Sequence, residues 1–374
     1  MIGIWRNDRF FYGFLLFYMT GIAALILTTP LSPTEAQLFY RDEWSPAIWI
    51  ARILHQYLPG PLGLRVIPFL LGGVNLWLFY RLLPDYFPRL EDRRFTLAIF
   101  AILPGVIAAN VLLNDAVFAL TLTLLFLLAY REKIFWLELL ALVLLLSTAT
   151  AMFALYLAVA LYAFVRREYR LGIAAALLLV LSLATGLYSI GGHPQGHLPE
   201  LFGIDAALFS PLFFVYYFYA LYRVALVGPR DLTWSIAFAA LALSILLSIR
   251  QQVLIVDFSP YLLAATMIPV RVYFSSMRVR MRRFQTRYRL AGAVVLATLV
   301  LSSAAVALHR PLYVLLGRPS HFFAAPLYEI PARVEALKAR GVRCHSPVKR
   351  RYNALYRFYG LPACPAEKRS SDTF

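Results

Sequence analysis

The chain has 374 residues, of which 61% are hydrophobic and 15% are charged. Soluble domains carry about 45–50% apolar and about 25% charged residues, so this composition excludes an ordinary soluble protein. The net charge of +17 does not indicate nucleic-acid binding, because much of it lies in short loops between apolar runs, where Lys and Arg set membrane orientation. The sequence predicts an all-α, polytopic transmembrane bundle.

The first predicted span ends at about Leu27 and is expected to be retained, since it is long and no clear cleavage site follows it. The loop that follows, residues 30–63, places three carboxylates within nine positions. These are Glu35, Asp42 and Glu43. Acids just beyond a span are costly unless they face a cavity, a partner or water. We therefore expect this loop to form half of an active site. Residues 45–62 are amphipathic and predict a helix along the membrane surface.

The remaining apolar runs predict ten more spans. Two runs are too long for one crossing and are divided, the first at Asn114-Asp115 and the second near Ser147–Thr150. The predicted spans after the first are 64–83, two within 95–130, two within 135–165, 171–190, 208–227, 232–249, 258–274 and 290–308. Eleven crossings place the N-terminus in the cytoplasm and the C-terminal tail outside.

The distribution of basic residues supports this topology. Twenty Lys and Arg residues lie in or beside the predicted cytoplasmic segments, and four lie in the external loops. Seven of the twenty fall between Arg271 and Arg289, where they are expected to anchor the chain on anionic lipid. The predicted location is the inner (plasma) membrane, with the first loop and the tail facing the periplasm or the outside.

The sequence divides into residues 1–309, the transmembrane domain, and residues 310–374, an extramembrane C-terminal module. The tail predicts helices over 331–340 and 347–359, stopped by Gly341 and Gly360. On the external side, Cys344 and Cys364 are candidates for a disulfide that clips the second helix at both ends.

Most of the polar residues near span ends fall on the predicted external side. They are Glu35, Asp42, Glu43, Arg65, Asp115, His193, His197, Arg250, Gln251, Gln252 and Asp257. Simpler interpretations stay open: Glu35, Asp42 and Glu43 as solvated loop charges, Asp115 as a helix N-cap and Arg250 as a snorkelling anchor. His193 and His197 have a metal-like spacing, but Pro194 and Gly196 disfavour a helix there. No phosphate-binding glycine loop is present, which argues against an ATP-driven pump.

In the order of its motifs the chain resembles the GT-C class of integral-membrane glycosyltransferases, especially the branch of lipid A aminoarabinose transferases and protein O-mannosyltransferases. The resemblance covers roughly the first 270 residues. It rests on Ser32-Pro33-Thr34-Glu35-Ala36, Leu64-Arg65-Val66-Ile67-Pro68, Asn114-Asp115, and the stretch from Arg250 to Pro260-Tyr261. Family members often have Asp-Glu where this chain has Thr34-Glu35, which leaves open whether Glu35 or Asp42 is the principal acid.

The resemblance implies transfer of a sugar from a polyprenyl-phosphate carrier to a lipid, glycan or protein acceptor on the outer face, usually with inversion. Glu35 or Asp42 is then the candidate base, and Asp115 a second acid that orients a substrate. Arg250, and with it Arg65, is expected to stabilise the leaving phosphate, and Glu43 and Tyr261 to contact substrate. Clustered carboxylates also suit Mg²⁺ or Mn²⁺, so a divalent cation is left open.

Two other functions compete with the transferase. A transporter or lipid flippase requires charged residues through the depth of the bilayer, whereas the predicted span interiors are nearly free of charge apart from Glu138. A non-catalytic assembly subunit is the third hypothesis, because Thr34 replaces the family's acid.

Overall fold

The chain folds into a succession of α-helices. The structure, a computed structural model, describes residues 9–41, 45–148, 150–186, 191, 196–317, 324–345 and 350–364. In this part of the chain the helices are α1 (Arg9–Thr28), α2 (Pro33–Phe39), α3 (Pro46–Tyr57), α4 (Pro61–Leu82), α5 (Leu90–Ile102), α6 (Pro104–Val111), α7 (Ala116–Glu132), α8 (Phe135–Leu145), α9 (Met152–Val165), α10 (Tyr169–Ala184), α11 (Leu198–Phe209), α12 (Pro211–Val227), α13 (Leu232–Ser248), α14 (Ile255–Ala264), α15 (Met267–Val279), α16 (Arg282–Ala307), α17 (His309–Leu315), α18 (Ala325–Ala339) and α19 (Arg350–Phe358). The predicted all-α class is confirmed.

Within the described residues, three helices are long and apolar enough to cross a membrane. They are α1, α4 with the 3₁₀ turn that extends it to Asp85, and α16. Two bent pairs raise the number to five if each pair is one span: α5 with α6, bent by 60°, and α11 with α12, bent by 102°. The described part of the chain is therefore all-helical, with three to five candidate membrane spans.

Proline and strained backbone explain the breaks between the short helices. Pro104 and Pro211 each open a helix, a position that needs no backbone N–H donor. At the α11–α12 bend, Ser210 adopts φ 78°, a conformation that non-glycine residues seldom take. The breaks predicted at Asn114-Asp115 and near Ser147–Thr150 are present, between α6 and α7 and between α8 and α9.

The principal hydrophobic core is built mainly from helices between α4 and α15. Its largest fully buried side chains include Phe79, Phe100, Phe126 and Tyr156. Helices α1 and α16 lie at the periphery. Only three residues of α1 are buried, and α16 buries only Leu299 and Ser303. Long apolar helices with so little protein contact suit a lipid environment.

A second, smaller core joins the first loop to the C-terminal helices. It contains Leu31, Ala36, Ala47, Ala51, Leu64 and Leu113 together with Ile330, Val334, Leu355, Tyr356 and Leu361. Helix α19 packs directly on α2, and the ring of Phe358 lies 5.9 Å from that of Phe39 and 5.5 Å from that of His55. We call this unit, formed by α2, α3, α18 and α19, the capping layer.

The C-terminal part of the capping layer is closed on itself. A disulfide joins Cys344 to Cys364, and α19 lies in the loop between them. Beside it, the backbone N–H of His345 donates to the carbonyl of Pro362 at 3.0 Å, and the N–H of Cys364 donates to the carbonyl of His345 at 2.9 Å. The disulfide therefore holds together the two ends of the segment that contains α19, which covers α2.

Replacing both cysteines with serine is expected to loosen α19. The disulfide closes a sequence separation of 20 residues, and a loop of that size contributes about 3 kcal/mol in the chain-entropy description. Amide hydrogen exchange should rise in α19 and α2 of the Cys344→Ser/Cys364→Ser variant, while α9 and α13, which are remote from the capping layer, keep their protection. Unchanged exchange in α19 would show that packing alone holds it.

Candidate functional site

The first loop is fixed by a buried ion pair between Glu35 and Arg65. The Arg65 Nε donates to Glu35 Oε1 at 2.9 Å, and Nη2 donates to Oε2 at 2.7 Å. Both side chains are fully buried. Paired N–H donors in this arrangement match the two carboxylate oxygens, a geometry that Lys does not offer.

The remaining hydrogen bonds of Arg65 hold the end of α1. Its Nη1 donates to the carbonyls of Ile26 and Thr29 at 3.2 and 2.6 Å, and Nη2 donates to the carbonyl of Pro30 at 2.9 Å. The three carbonyls belong to the last turn of α1 and the residues after it, where helix carbonyls lack intrahelical partners. All five N–H groups of the guanidinium are thereby used.

Glu35 accepts two backbone hydrogen bonds besides those from Arg65. The N–H of Ser32 donates to Oε2 at 2.8 Å, while the Ser32 hydroxyl accepts from the N–H of Glu35, which forms a capping box at the start of α2. The N–H of Leu113, just after α6, donates to Oε1 at 3.0 Å. Each carboxylate oxygen therefore has two donors, and this geometry favours a structural role for Glu35. Its predicted role as a base stays a prediction.

Asp115 occupies the N-cap position of α7 but does not cap it. The Asn114 side chain does so, accepting from the N–H of Val117 at 2.9 Å, and its amide donates to the carbonyls of Ala109 and Leu112. The carboxylate of Asp115 instead accepts a hydrogen bond from the hydroxyl of Ser45, 70 residues earlier in the first loop. Asp115 is 5% exposed. The simple N-cap interpretation of Asp115 does not describe its side chain.

Both sides of the α2–α3 connection are held in place. Arg52 of α3 donates through Nε and Nη2 to the carbonyl of Phe39 at 3.0 and 2.8 Å, and Nη2 also reaches the carbonyl of Arg41. On the other side, Ser45 contacts Asp115. The predicted site residues Asp42 and Glu43 lie outside the described residues, between these two fixed points in the sequence.

Tyr261 lies in a second polar group, at the break between α8 and α9. Its side chain is fully buried, and its hydroxyl is 2.9 Å from the Thr150 hydroxyl, which lies 3.0 Å from that of Thr148. The N–H of Ala151 donates to the carbonyl of Asp257 at 3.0 Å, so the break is attached to the start of α14. The structure places Tyr261 against this break, and its predicted contact with substrate stays a prediction.

Arg250 lies two residues after the end of α13. The turn that contains it is built by backbone bonds, with the N–H of Arg250 donating to Leu247 at 2.9 Å and the N–H of His197 donating to Ser248 at 2.9 Å. Helix α13 packs on α14, and α14 packs on α7, whose N-cap is Asp115. His193 lies outside the described residues, and His197 contacts Glu200 at 3.2 Å.

The capping layer covers the ion pair from the C-terminal side. Tyr359, just after α19, shares a hydrogen bond with the backbone of Leu31 and lies close enough to Arg65 and Glu35 to interact with their charges. Burial raises the pKa of the Tyr359 hydroxyl, so it remains a neutral partner. The sequence contained no signal for this contact, because its partners are more than 290 residues apart.

Asp205 is a buried acid that the sequence did not indicate. Asp205 of α11 is 4% exposed, and its Oδ2 has no hydrogen-bond partner among the described residues. The Ser210 hydroxyl, at the bend into α12, is likewise buried without a partner there. The Ser-Pro pair at 210–211 was a signal for a break, but the predicted span began at 208 and left Asp205 outside the helices.

The described residues contain no group of three or more His, Cys, Asp or Glu side chains arranged to hold a metal ion. Neither carboxylate oxygen of Glu35 is available to a cation, because each already accepts two hydrogen bonds from N–H donors. The carboxylates of Asp42 and Glu43 are not among the described residues, so the divalent cation that the sequence left open is not tested there.

Removing one member of the buried pair is expected to destabilise the protein strongly. Glu35→Gln or Arg65→Met each leaves a buried charge without its partner, which costs about 3–5 kcal/mol. The double variant Glu35→Met/Arg65→Met should lose much less than the sum, because neither charge remains. Equilibrium unfolding in mixed micelles measures this cycle, with Glu329→Gln as the control on an exposed glutamate. Single variants as stable as the unmodified protein would contradict a structural pair.

Comparison with known proteins identifies no relative of this chain. The chain matches no protein-family model, no curated protein and no solved structure.

Proposed function

We propose that the chain is an integral-membrane glycosyltransferase that moves a sugar from a polyprenyl-phosphate carrier to an acceptor at the membrane face carrying the first loop. Asp115, which the sequence analysis expected to be an orienting acid, is the catalytic base in this proposal, and Asp42 of the first loop is the alternative base. Arg250 is the partner of the leaving phosphate. Glu35 and Arg65 are positioning residues that hold the first loop against the bundle.

The observation that carries the proposal is the contact between Asp115 and Ser45. A carboxylate at a helix N-cap position ordinarily accepts from the backbone of its own helix. Here Asn114 takes over the cap, and the Asp115 side chain turns to the first loop. Glu35 binds the N–H of Leu113, two residues before Asp115. Held from both sides, Asp115 is a preorganised acid beside the loop that carries Asp42 and Glu43.

The chemistry requires one base and one cationic group. The acceptor hydroxyl attacks the anomeric carbon and gives its proton to the base, while the bond from that carbon to the phosphate oxygen breaks. The departing polyprenyl phosphate keeps the electron pair of that bond, and Arg250 offsets its charge. Attack opposite to the leaving group inverts the anomeric centre. A lipid-borne donor also accounts for a chain without a nucleotide-binding glycine loop.

The proposal includes the topology of eleven crossings. Its members are α1, α4, α5 with α6, α7, α8, α9, α10, α11 with α12, α13, α14 with α15, and α16. Short helices such as α8, with 11 residues, extend only about 17 Å and need their connecting residues to span the bilayer. The basic residues favour the first loop and the tail on the outer side.

Asp115→Asn is expected to lower sugar transfer by about 100-fold or more, because a neutral amide does not take the acceptor's proton. The matched control is Asp231→Asn at the N-cap of α13, where the aspartate does cap its helix through the N–H of Trp234. Transfer of labelled sugar from polyprenyl-phosphate sugar to envelope material measures the loss. Asp42→Asn in the same assay decides between the two bases, and full activity in both variants would sink the catalytic assignment.

Native mass spectrometry tests the donor class separately. Protein purified in detergent should retain a polyprenyl phosphate or its sugar-linked form, and Arg250→Ala should release it. Retention in Asp115→Asn together with lost transfer would separate binding from chemistry. Purified protein that retains no such lipid when it is supplied would exclude the proposed donor.

A second candidate, a transporter or flippase, is favoured by the α11–α12 bend. In membrane transporters, broken helices with a buried acid line substrate or ion paths. The bent pair α11 and α12 is of this kind, since Asp205 of α11 and Ser210 at the bend are both buried. For this function, Asp205→Asn should abolish flux of lipid-linked sugar across proteoliposomes, with Asp231→Asn as the control. Absence of flux in the unmodified protein would exclude this candidate.

A further inference from the structure

A cavity of about 350 Å³ lies between α16 and the rest of the bundle. Its walls come from α5, α12, α15 and α16, and they are mostly apolar, including Ile99, Phe213, Val270 and Leu296. Helix α16 packs loosely, since only Leu299 and Ser303 are buried along it. An apolar space of this size beside a peripheral span is open to a hydrocarbon chain and offers little to water.

One end of the cavity is polar. Arg289 contributes to the lining, and its charge acts on the hydroxyl of Tyr273. The hydroxyls of Tyr216 and Tyr288 lie 3.1 Å apart, and the guanidinium of Arg280 lies 4.3 Å from the centre of the Tyr288 ring. The site therefore combines an apolar chamber with a rim of hydroxyls and guanidinium groups.

The chain segment that supplies this rim carries charge of one sign. Residues 258–328 contain no Asp or Glu, while seven arginines lie between Arg271 and Arg289. Some of these are engaged, since Arg278 pairs with Asp92 and Arg271 lies over the ring of Tyr86. Among the described residues, no carboxylate pairs with Arg289. The rim is complementary to a phosphate group.

We propose that this cavity binds one anionic phospholipid from the leaflet on the arginine-rich side, with an acyl chain between α16 and α12 and the phosphate at Arg289 and Arg280. Basic pockets between transmembrane helices bind acidic headgroups in this way. The lipid fills the space that α16 leaves and connects it to the bundle. This site is independent of the proposed transferase site, because no residue of the first loop takes part.

Native mass spectrometry of the full chain in detergent tests the headgroup. With added phosphatidylglycerol the protein should retain one molecule per chain, at least about fivefold more tightly than phosphatidylcholine with the same chains. Arg289→Ala should remove this preference, because one basic side chain contributes about that factor at a membrane surface. Arg287→Ala, an exposed arginine on the same helix that does not line the cavity, is the matched control and should keep the preference.

A second pair of variants tests the chain position. Ala291→Phe adds a ring at the cavity wall and should expel both lipids, whereas Ala297→Phe, exposed on the same helix outside the cavity, should retain them. Arg289→Gln replaces Arg289→Ala if the alanine variant does not fold. Equal retention of the two lipids by the unmodified protein, an equal loss in Arg287→Ala, or full retention in Ala291→Phe would each overturn the proposal.

Discussion

The buried pair of Glu35 and Arg65 is the constraint on which one end of the bundle depends. Burying an isolated charge here would cost a large free energy of desolvation. The carboxylate and the guanidinium can both be buried because each of their donor and acceptor positions has a hydrogen-bond partner. The hydrogen bonds of Glu35 and Arg65 connect the end of α1, the start of α2, the start of α4 and the residues after α6. The same atoms that neutralise one another thereby define where the first loop lies.

This constraint reaches the candidate acid through a short series of contacts. Glu35 binds the backbone N–H of Leu113. The side chain of Asn114 then donates to the carbonyls of Ala109 and Leu112, and the carboxylate of Asp115 accepts from Ser45. A rigid support of this kind is what a catalytic carboxylate needs, because small displacements from productive geometry are costly. The structural pair and the proposed chemical group are thus neighbours in the chain with different tasks.

Sequence reasoning predicted the helical class and the main breaks, because apolar periodicity, proline and polar interruptions are local signals. It also singled out Glu35, Arg65 and Asp115 by charge and position. It did not pair Glu35 with Arg65, and it did not identify Asn114 as the cap of α7. Several polar residues near each position could make these contacts, and only the tertiary structure decides between them. Asp205 was missed for a related reason: the bend at Ser210 gives α11 a buried face that hydropathy alone does not reveal.

The capping layer also has a consequence for biosynthesis. Leu31, Ala36 and Leu64 are made early, whereas Val334 and Leu355, which complete their core, are made only after the candidate spans found among the described residues. Until then α2 lacks the cover that α19 provides. The first loop of a nascent chain therefore lacks part of its core until the C-terminal helices have been made and have packed on it.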